Sequence, residues 1–449
     1  MDWKRHLTTG LLGFGPLCSF GIVCSFGIVC SSVSWGNSAF AQSGGLAQGP
    51  VEFQPKPQDP PATSRLGNPQ SSDSNFGLLG PTASTSPTAR SSARPPRSSS
   101  SSARNTYVRV ARAPNMFGDT LTPAVTLTPF KEQGSDTASR ELFTAPLGGG
   151  GSFNVSENNT ALPTDRVYFV YNAFYNAASA TINADPNGFQ PIQKSIDLHR
   201  YLIGFEKTFF DGNVSLDVRM PFMSNIEFNS FGLLSESGNV GNLTMYMKGL
   251  LAANDDAALA TGLGIGLPTG SDFQSHSDPS IYAPETLIVR NQAVHLMPFL
   301  AATAHLGEHW FTQSFCQMNF AASGNEVVNQ DGLVGVFQEQ NLFQADLGLG
   351  RWLWQDSTRP YFQALAAVTE LHYTTTVQNT DSVNLPSGNL FGGSFSNAEN
   401  RLDLLNLTSG LQAQLSPLSA LRVGAVVPLR NTPDRSFDAE LQVSLNRKF

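Results

Sequence analysis

The last thirteen residues, FDAELQVSLNRKF (437–449), alternate apolar and polar side chains almost without a break. Phe437, Ala439, Leu441, Val443, Leu445 and Phe449 fall on one face, and Asp438, Glu440, Gln442, Ser444, Asn446 and Lys448 on the other; only Arg447 interrupts the apolar row. A period of two over this length predicts a strand well beyond the usual five or six residues. A soluble sheet needs a second layer over such a face. A bilayer covers it directly and asks for strands of about 9–11 residues.

The same pattern recurs upstream as hairpins. Tyr201, Ile203, Phe205 and Phe209 alternate with Arg200, Glu206 and Thr208; Asp211-Gly212-Asn213 turns the chain, and Val214, Leu216, Val218, Met220 and Phe222 alternate with Ser215, Asp217 and Arg219. Leu243, Met245, Met247 and Leu251 alternate with Thr244, Tyr246 and Lys248, and after Asn254-Asp255-Asp256 the run 259–267 alternates with Gly262, Gly264 and Gly266. Further pairs are predicted at 291–306 with 309–322, 341–355 with 360–375, and 401–415 with 419–430. With a first run from Arg166 to about Ala178 and the terminal run, the count is twelve. Tight turns follow every second strand, while the gaps 179–197, 223–240, 269–290, 323–340 and 376–400 are long and only 431–435 is short. Short turns on one rim, long loops on the other and an even count predict an all-β, transmembrane antiparallel barrel of about twelve strands over 166–449, with both of its ends on the periplasmic rim. A jelly roll or lectin-like sandwich is the alternative. The inner-face glycines 262, 264 and 266 make room in the lumen or relieve strand curvature.

Composition agrees. Only 14% of the 449 residues are charged, against about a quarter in an ordinary soluble domain, with 40 Gly, 28 Pro and 31 Phe. After residue 41 no apolar stretch reaches the length of a membrane helix, so a helical membrane protein and a helix-rich cytosolic enzyme are both disfavoured. Residues 1–41 read as a signal peptide: Lys4 and Arg5, an apolar run, then Ala39-Phe40-Ala41 before Gln42; an N-terminal anchor is the alternative. Val precedes Cys24 and Cys30, which argues against a lipobox. Removal of the signal leaves Cys316 alone, so the exported chain has no internal disulfide and depends on backbone pairing. Residues 42–105, rich in Ser, Pro and Arg, cannot fill a core and read as a disordered linker. Because the linker contributes +3 and the first 41 residues +1 to a total of -8, the body from residue 106 carries -12. The basic linker is a solvated spacer or a tether to an anionic cell-wall polymer. Residues 106–165 lack periodicity and read as an irregular periplasmic segment or a plug.

The search for chemistry is mostly negative. Gln274-Ser275-His276-Ser277-Asp278 contains the residue types of a hydrolase triad but sits in a long loop without motif context. His295, His305 and His309 match no metal-ligand spacing and read as solvated rim histidines. No phosphate loop, dinucleotide fingerprint or CxxC is present, so no catalytic, cofactor or metal site and no nucleic-acid partner is expected. Function is expected in the lumen, whose inward set by alternation is Arg200, Glu206, Asp217, Arg219, Tyr246, Lys248, Asp346, Glu370, His372, Arg422, Arg430, Asp438 and Glu440. Mixed charge on that face makes either a transverse field across a narrow path or ion pairs that fill the bore. Two classes stay open: a passive channel or transporter, and a structural or adhesive surface protein.

Several segments resemble one family. The run Gly262 to Asp272 (GLGIGLPTGSD), a strand ending in a Pro-Thr-Gly loop, is similar to a recurring piece of barrels grouped under the MetA pathway of phenol degradation. Arg166 to Asn172 (RVYFVYN), His199 to Asn213 and Pro114 to Asp119 (PNMFGD) resemble a variant of these barrels from planctomycete-type bacteria. The resemblance spans about 110–449 and implies an outer-membrane barrel of a Gram-negative-type cell, in contact with outer-membrane lipid, that passes small hydrophobic or aromatic solutes. The terminal strand ending in Phe449 resembles the signal read by the barrel assembly machinery, with Arg447 as a departure where an apolar residue is preferred.

Overall fold

The computed structural model of the protein describes residues 113–119, 124–129, 143–146 and 154–449, except 186–187, 225, 231–232, 238, 281–282, 387–391 and 399. The expected signal and linker lie outside them. Twelve antiparallel strands form the barrel: β1 (Arg166–Asp185), β2 (Gly188–Phe209), β3 (Val214–Met223), β4 (Leu243–Ala253), β5 (Ala257–Leu267), β6 (His295–Leu306), β7 (Trp310–Ala321), β8 (Leu342–Gln355), β9 (Ala364–Thr376), β10 (Asp403–Ser416), β11 (Ser419–Pro428) and β12 (Ala439–Lys448). Each pairs with the next, and β1 pairs with both β2 and β12, which closes the sheet. Closure satisfies the ladder donors and acceptors that lipid could not.

The alternation read from sequence sorts the side chains. On β8, Leu347, Leu349 and Leu353 are exposed while Gln344, Asp346 and Trp352 are buried; on β12, Leu441 and Leu445 are exposed while Glu440, Gln442 and Ser444 are buried. An outward apolar belt around a polar interior is the reverse of a soluble domain, and it is what a barrel in lipid requires. Exposed aromatic residues collect at the short-turn rim: Phe209, Phe210, Trp310, Tyr361, Phe362 and Phe449. Such rings sit where lipid headgroups meet the apolar core. The short turns are held by side chains; Asn254 Oδ1, for example, accepts the amides of Asp256 and Ala257 at 2.9 and 2.7 Å.

The long-loop side departs from expectation in being folded. The gap 179–197 is not a loop, because β1 and β2 run on to Asp185 and Gly188. Four other gaps fold into short strands. Six of these make a second sheet, in the order 332–337, 325–329, 286–289, 273–277, 233–237 and 226–230. Strands 382–385, 393–397, 124–129 and 143–146 instead extend the barrel sheet from the upper part of β1, through Phe143 opposite Ala180. An apolar cluster joins these layers. Phe143 packs at a tilt on Phe273 at 4.8 Å, Phe337 meets Phe395 edge-on at 5.1 Å, and Phe174 packs on Phe437 at 5.5 Å. Phe437 therefore points inward. It precedes β12, so the strand alternation does not govern it, and the apolar cap draws it in.

Candidate functional site

The site is the lumen, and part of the chain runs through it. Residues 113–119 and 154–162 lie inside the barrel as two antiparallel arms joined by Met116 N to Asn159 O (2.8 Å) and Asn158 N to Phe117 O (3.3 Å). The arms cross closely at Gly118, whose φ is +75° and where a Cβ would meet Glu157 Cα at 2.5 Å, so only glycine fits. Beyond the arms, the chain forms the strands 124–129 and 143–146 that extend the barrel sheet on the long-loop side. The segment therefore enters at the short-turn rim, reaches the outer cap and returns to begin β1.

Wall residues from nearly every side hold the arms. Glu370 on β9 accepts the amides of Phe117 (2.8 and 2.9 Å) and Gly118 (3.0 Å). Gln317 on β7 accepts the amide of Val155 at 2.8 Å, and Asp346 on β8 accepts Asn154 Nδ2 at 2.8 Å. Lys248 on β4 donates to Asn159 Oδ1 (2.9 Å) and Thr160 O (2.8 Å). Arg200 on β2 pairs with Glu157, and Asn406 on β10 donates to Asp119. Asn158 Oδ1 accepts from Arg422 on β11 (2.8 Å) and from Asn446 on β12 (2.9 Å), while its own amide donates back to Asn446 Oδ1 at 3.0 Å. Phe117 sits in a socket made by two absent side chains: a Cβ on Gly410 or Gly424 would meet its ring at 2.4 or 2.8 Å, and the Arg422 guanidinium lies 4.1 Å over the ring.

The wall carries its own ion pairs. Arg166 and Lys248 both hold Glu206, at 2.7 and 3.0 Å, and Arg219 holds Asp217 at 2.9 Å while Tyr168 donates to the same carboxylate at 2.7 Å. Tyr246 lies beneath Arg219. The structure thus places Arg200, Glu206, Asp217, Arg219, Tyr246, Lys248, Asp346, Glu370, His372, Arg422 and Glu440 inside the barrel, all buried. Arg430 and Asp438 do not belong to this set. They lie between β11 and β12, where alternation no longer fixes direction; Arg430 pairs with Asp403 and Asp434, and Asp438 with Arg435, all partly exposed. The inner glycines are filled from neighbouring strands: a Cβ on Gly262 would strike Phe299, and one on Gly264 would strike Tyr246.

Asp346, Glu370 and His372 meet at one point with Asp119. His372 Nδ1 is 2.8 Å from Asp346 Oδ1 and 3.9 Å from Asp119 Oδ1, and its Nε2 is 3.3 Å from Glu370 Oε2. Sequence reasoning missed Asp119, Asn154, Glu157 and Asn158. No periodicity marks them; Asp119 ends the PNMFGD segment noted for its resemblance, and for the other three the signal is a concentration of Asn beside a turn. The loop histidines separate too. His295 is buried, with Glu339 at 3.3 Å and Asn319 at 2.9 Å, because β6 starts there and turns it inward rather than to the solvated rim. Around His276, Ser275 bonds Ser235 and Ser277 bonds Ala283 O, so neither hydroxyl is hydrogen-bonded to the imidazole.

No protein-family model matches the chain, and no curated protein matches it in sequence. Among solved structures, the COG4313 outer membrane channel from Pseudomonas putida F1 is similar over 65% of this chain and 97% of its own, with TM-score 0.42 and 15% identity. The P. putida toluene transporter TodX aligns over 64% of this chain and 91% of its own, with TM-score 0.37 and 12% identity. The NanC porin aligns over 63% of this chain and 98% of its own, with TM-score 0.35 and 6% identity.

Proposed function

We propose that the protein is a passive outer-membrane channel for small solutes, held closed by residues 106–165 acting as a plug. One observation carries this reading: a row of buried polar atoms along one inner wall has no hydrogen-bond partner. Thr408 Oγ1 on β10, Arg422 Nε and Nη2 on β11, and Glu440 Oε2, both amide atoms of Gln442 and Ser444 Oγ on β12 form the row, and Ser156 Oγ and Glu157 Oε2 of the plug share its condition. Arg422 is the register partner of Ser444, so the row is contiguous. An unmet buried polar atom costs about 1–3 kcal/mol, and a scaffold without transport could fill its bore with apolar side chains, as the outer cap does. A seam lined this way suits water and a permeating solute. The same strands lead through Gln412 and Asn446 to a cavity of about 520 Å³ at the short-turn rim, beside Arg166 and Trp352.

The resemblance of Gly262 to Asp272 to MetA-pathway barrels supports hydrophobic or aromatic compounds as the solute class; that run is β5 and the loop by which it leaves the barrel. On this reading the short-turn rim faces the periplasm, the terminal strand ending in Phe449 addresses the assembly machinery, and the basic linker meets the cell wall. The reading contains no catalytic step. Planar-bilayer recording tests it: the full-length protein should show rare openings, and the Asn158→Ala form frequent ones. Silence from both would remove the channel and leave the structural or adhesive reading.

A further inference from the structure

We propose that Asp119, Asp346 and His372 form a binding site for one divalent transition-metal ion that ties the lumenal segment to the barrel wall. Each residue offers one ligand atom, and the three atoms lie within 4.8 Å of one another. They come from three places in the chain. Asp346 and His372 are register partners on β8 and β9, and Asp119 is brought to them by the inner arm. All three are buried, as is Glu370 two residues along β9.

The remaining oxygens are already oriented. Asn154 donates to Asp346 Oδ2, Asn406 to Asp119 Oδ2, and the amides of Phe117 and Gly118 to Glu370. This leaves Oδ1 of both aspartates directed at the imidazole, and outer-shell bonds of this kind fix ligands around a metal. On the far side of the ring, His372 Nε2 faces Glu370 Oε2 at 3.3 Å, which orients the imidazole with Nδ1 toward the two aspartates.

Charge argues for a cation. Three carboxylates surround one imidazole, and among the described residues no Lys or Arg comes within 4.0 Å of any of the three. A protonated His372 offsets one of the three charges and Arg422 acts on Glu370 from beyond ion-pair distance, which leaves negative charge in excess on Asp119 and Asp346. Of the other buried carboxylates, Glu206, Asp217 and Glu157 each have a guanidinium or ammonium at ion-pair distance, whereas Glu440, like this trio, has none among the described residues. Uncompensated buried charge is costly, and one divalent ion supplies the missing balance. An imidazole nitrogen with carboxylate oxygens suits zinc or manganese, whereas calcium and magnesium prefer oxygen ligands alone.

Binding stands apart from transport. Its consequence for gating, that removing the ion loosens the plug, rests on the channel reading. The test is to refold the full chain into detergent with Zn²⁺ or Mn²⁺ alone, remove free metal and measure bound metal by mass spectrometry and titration calorimetry. One equivalent should bind, and Asp119→Asn should weaken it by more than about 100-fold, since outer-shell partners alone are worth about 10–100-fold. Asp119 lies off the barrel strands, so this variant should keep its heat-modifiable gel shift; His372→Gln provides the second, wall-side test. Cobalt substitution should give visible bands that shift in Asp119→Glu. Absence of stoichiometric metal, equal binding by Asp119→Asn, or binding of Ca²⁺ or Mg²⁺ in place of Zn²⁺ and Mn²⁺ would each overturn the proposal. None of these readouts requires conductance, so failure here is distinguishable from failure of the channel reading.

Discussion

Replacing Asn158 with alanine is the sharpest way to loosen the lumenal segment without touching the wall. Its side chain accepts from Arg422 and Asn446 and donates to Asn446, so three hydrogen bonds to β11 and β12 disappear together. Hydrogen bonds to a charged partner are worth about 1.5–3 kcal/mol and neutral ones about 0.5–1.5 kcal/mol. Asn158 also sits at φ +49°, a left-handed conformation that Asn tolerates better than Ala, which adds on the order of 1 kcal/mol. The low ends of the hydrogen-bond ranges alone give about 2.5 kcal/mol, on the order of a 100-fold shift toward the undocked segment. Amide hydrogen exchange reads that shift directly. Peptides covering 113–119 and 154–162 should lose about two orders of magnitude of protection, while β6–β8 peptides stay unchanged. A loss below tenfold, or an equal loss across the barrel strands, would show that Asn158 does not dock the segment.

Three further outcomes follow from the same geometry. Gly424→Leu puts a side chain where the Phe117 ring lies, 2.8 Å from the new Cβ, and should raise exchange at 113–119 while leaving the heat-modifiable gel shift intact. Leu347→Arg places a charge on the outward face midway along β8, where Leu347 is 57% exposed, and should destabilise the barrel in vesicles by about 2–4 kcal/mol by urea titration. Burial acts to raise the carboxyl of Asp165, just before β1, but bonds from the Thr208 hydroxyl and amide and the Lys207 ammonium together outweigh it and hold the group below its usual value. A depressed folded pKa stabilises above the unfolded value, near 4, and that stability fades as pH falls through the lower folded value. Wild type should therefore lose its advantage over Asp165→Asn as pH falls below the ordinary carboxylate value, and a pH-independent difference would contradict the clamp.

The barrel was legible because lipid imposes a simple rule on sequence. Every second residue of a wall strand must be apolar, and FDAELQVSLNRKF obeys it within a few residues of the observed ends of β12. The rule also explains its own failures. Phe437, Arg430 and Asp438 lie past the strand ends, so alternation extended there assigned directions that the loop does not keep. The strands of the outer sheet escaped notice because pieces of four to six residues carry too little pattern to separate from loop. The lumenal arms were opaque for a deeper reason: their partners are wall residues hundreds of positions away, as Asn158 is from Asn446. Asp119, Asp346 and His372 come together only because two adjacent strands and a threaded arm share one level of the barrel.

The doubled passage of the chain through the bore also bears on the order of assembly. The hairpin precedes β1, both of its feet stand at the short-turn rim, and its far end is paired to the upper part of β1 at Phe143. Pushing that end through a finished ring would mean dragging apolar residues past the buried charges of the wall. Laying the hairpin down first, while the seam between β1 and β12 is still open, avoids this entirely. The wall then wraps a template that already presents Asn158 and Glu157 to the strands that must find them. The seam between the first and last strands is thus the natural final step of biogenesis, and a chain without its leading hairpin would have to close around an unmatched ring of charges.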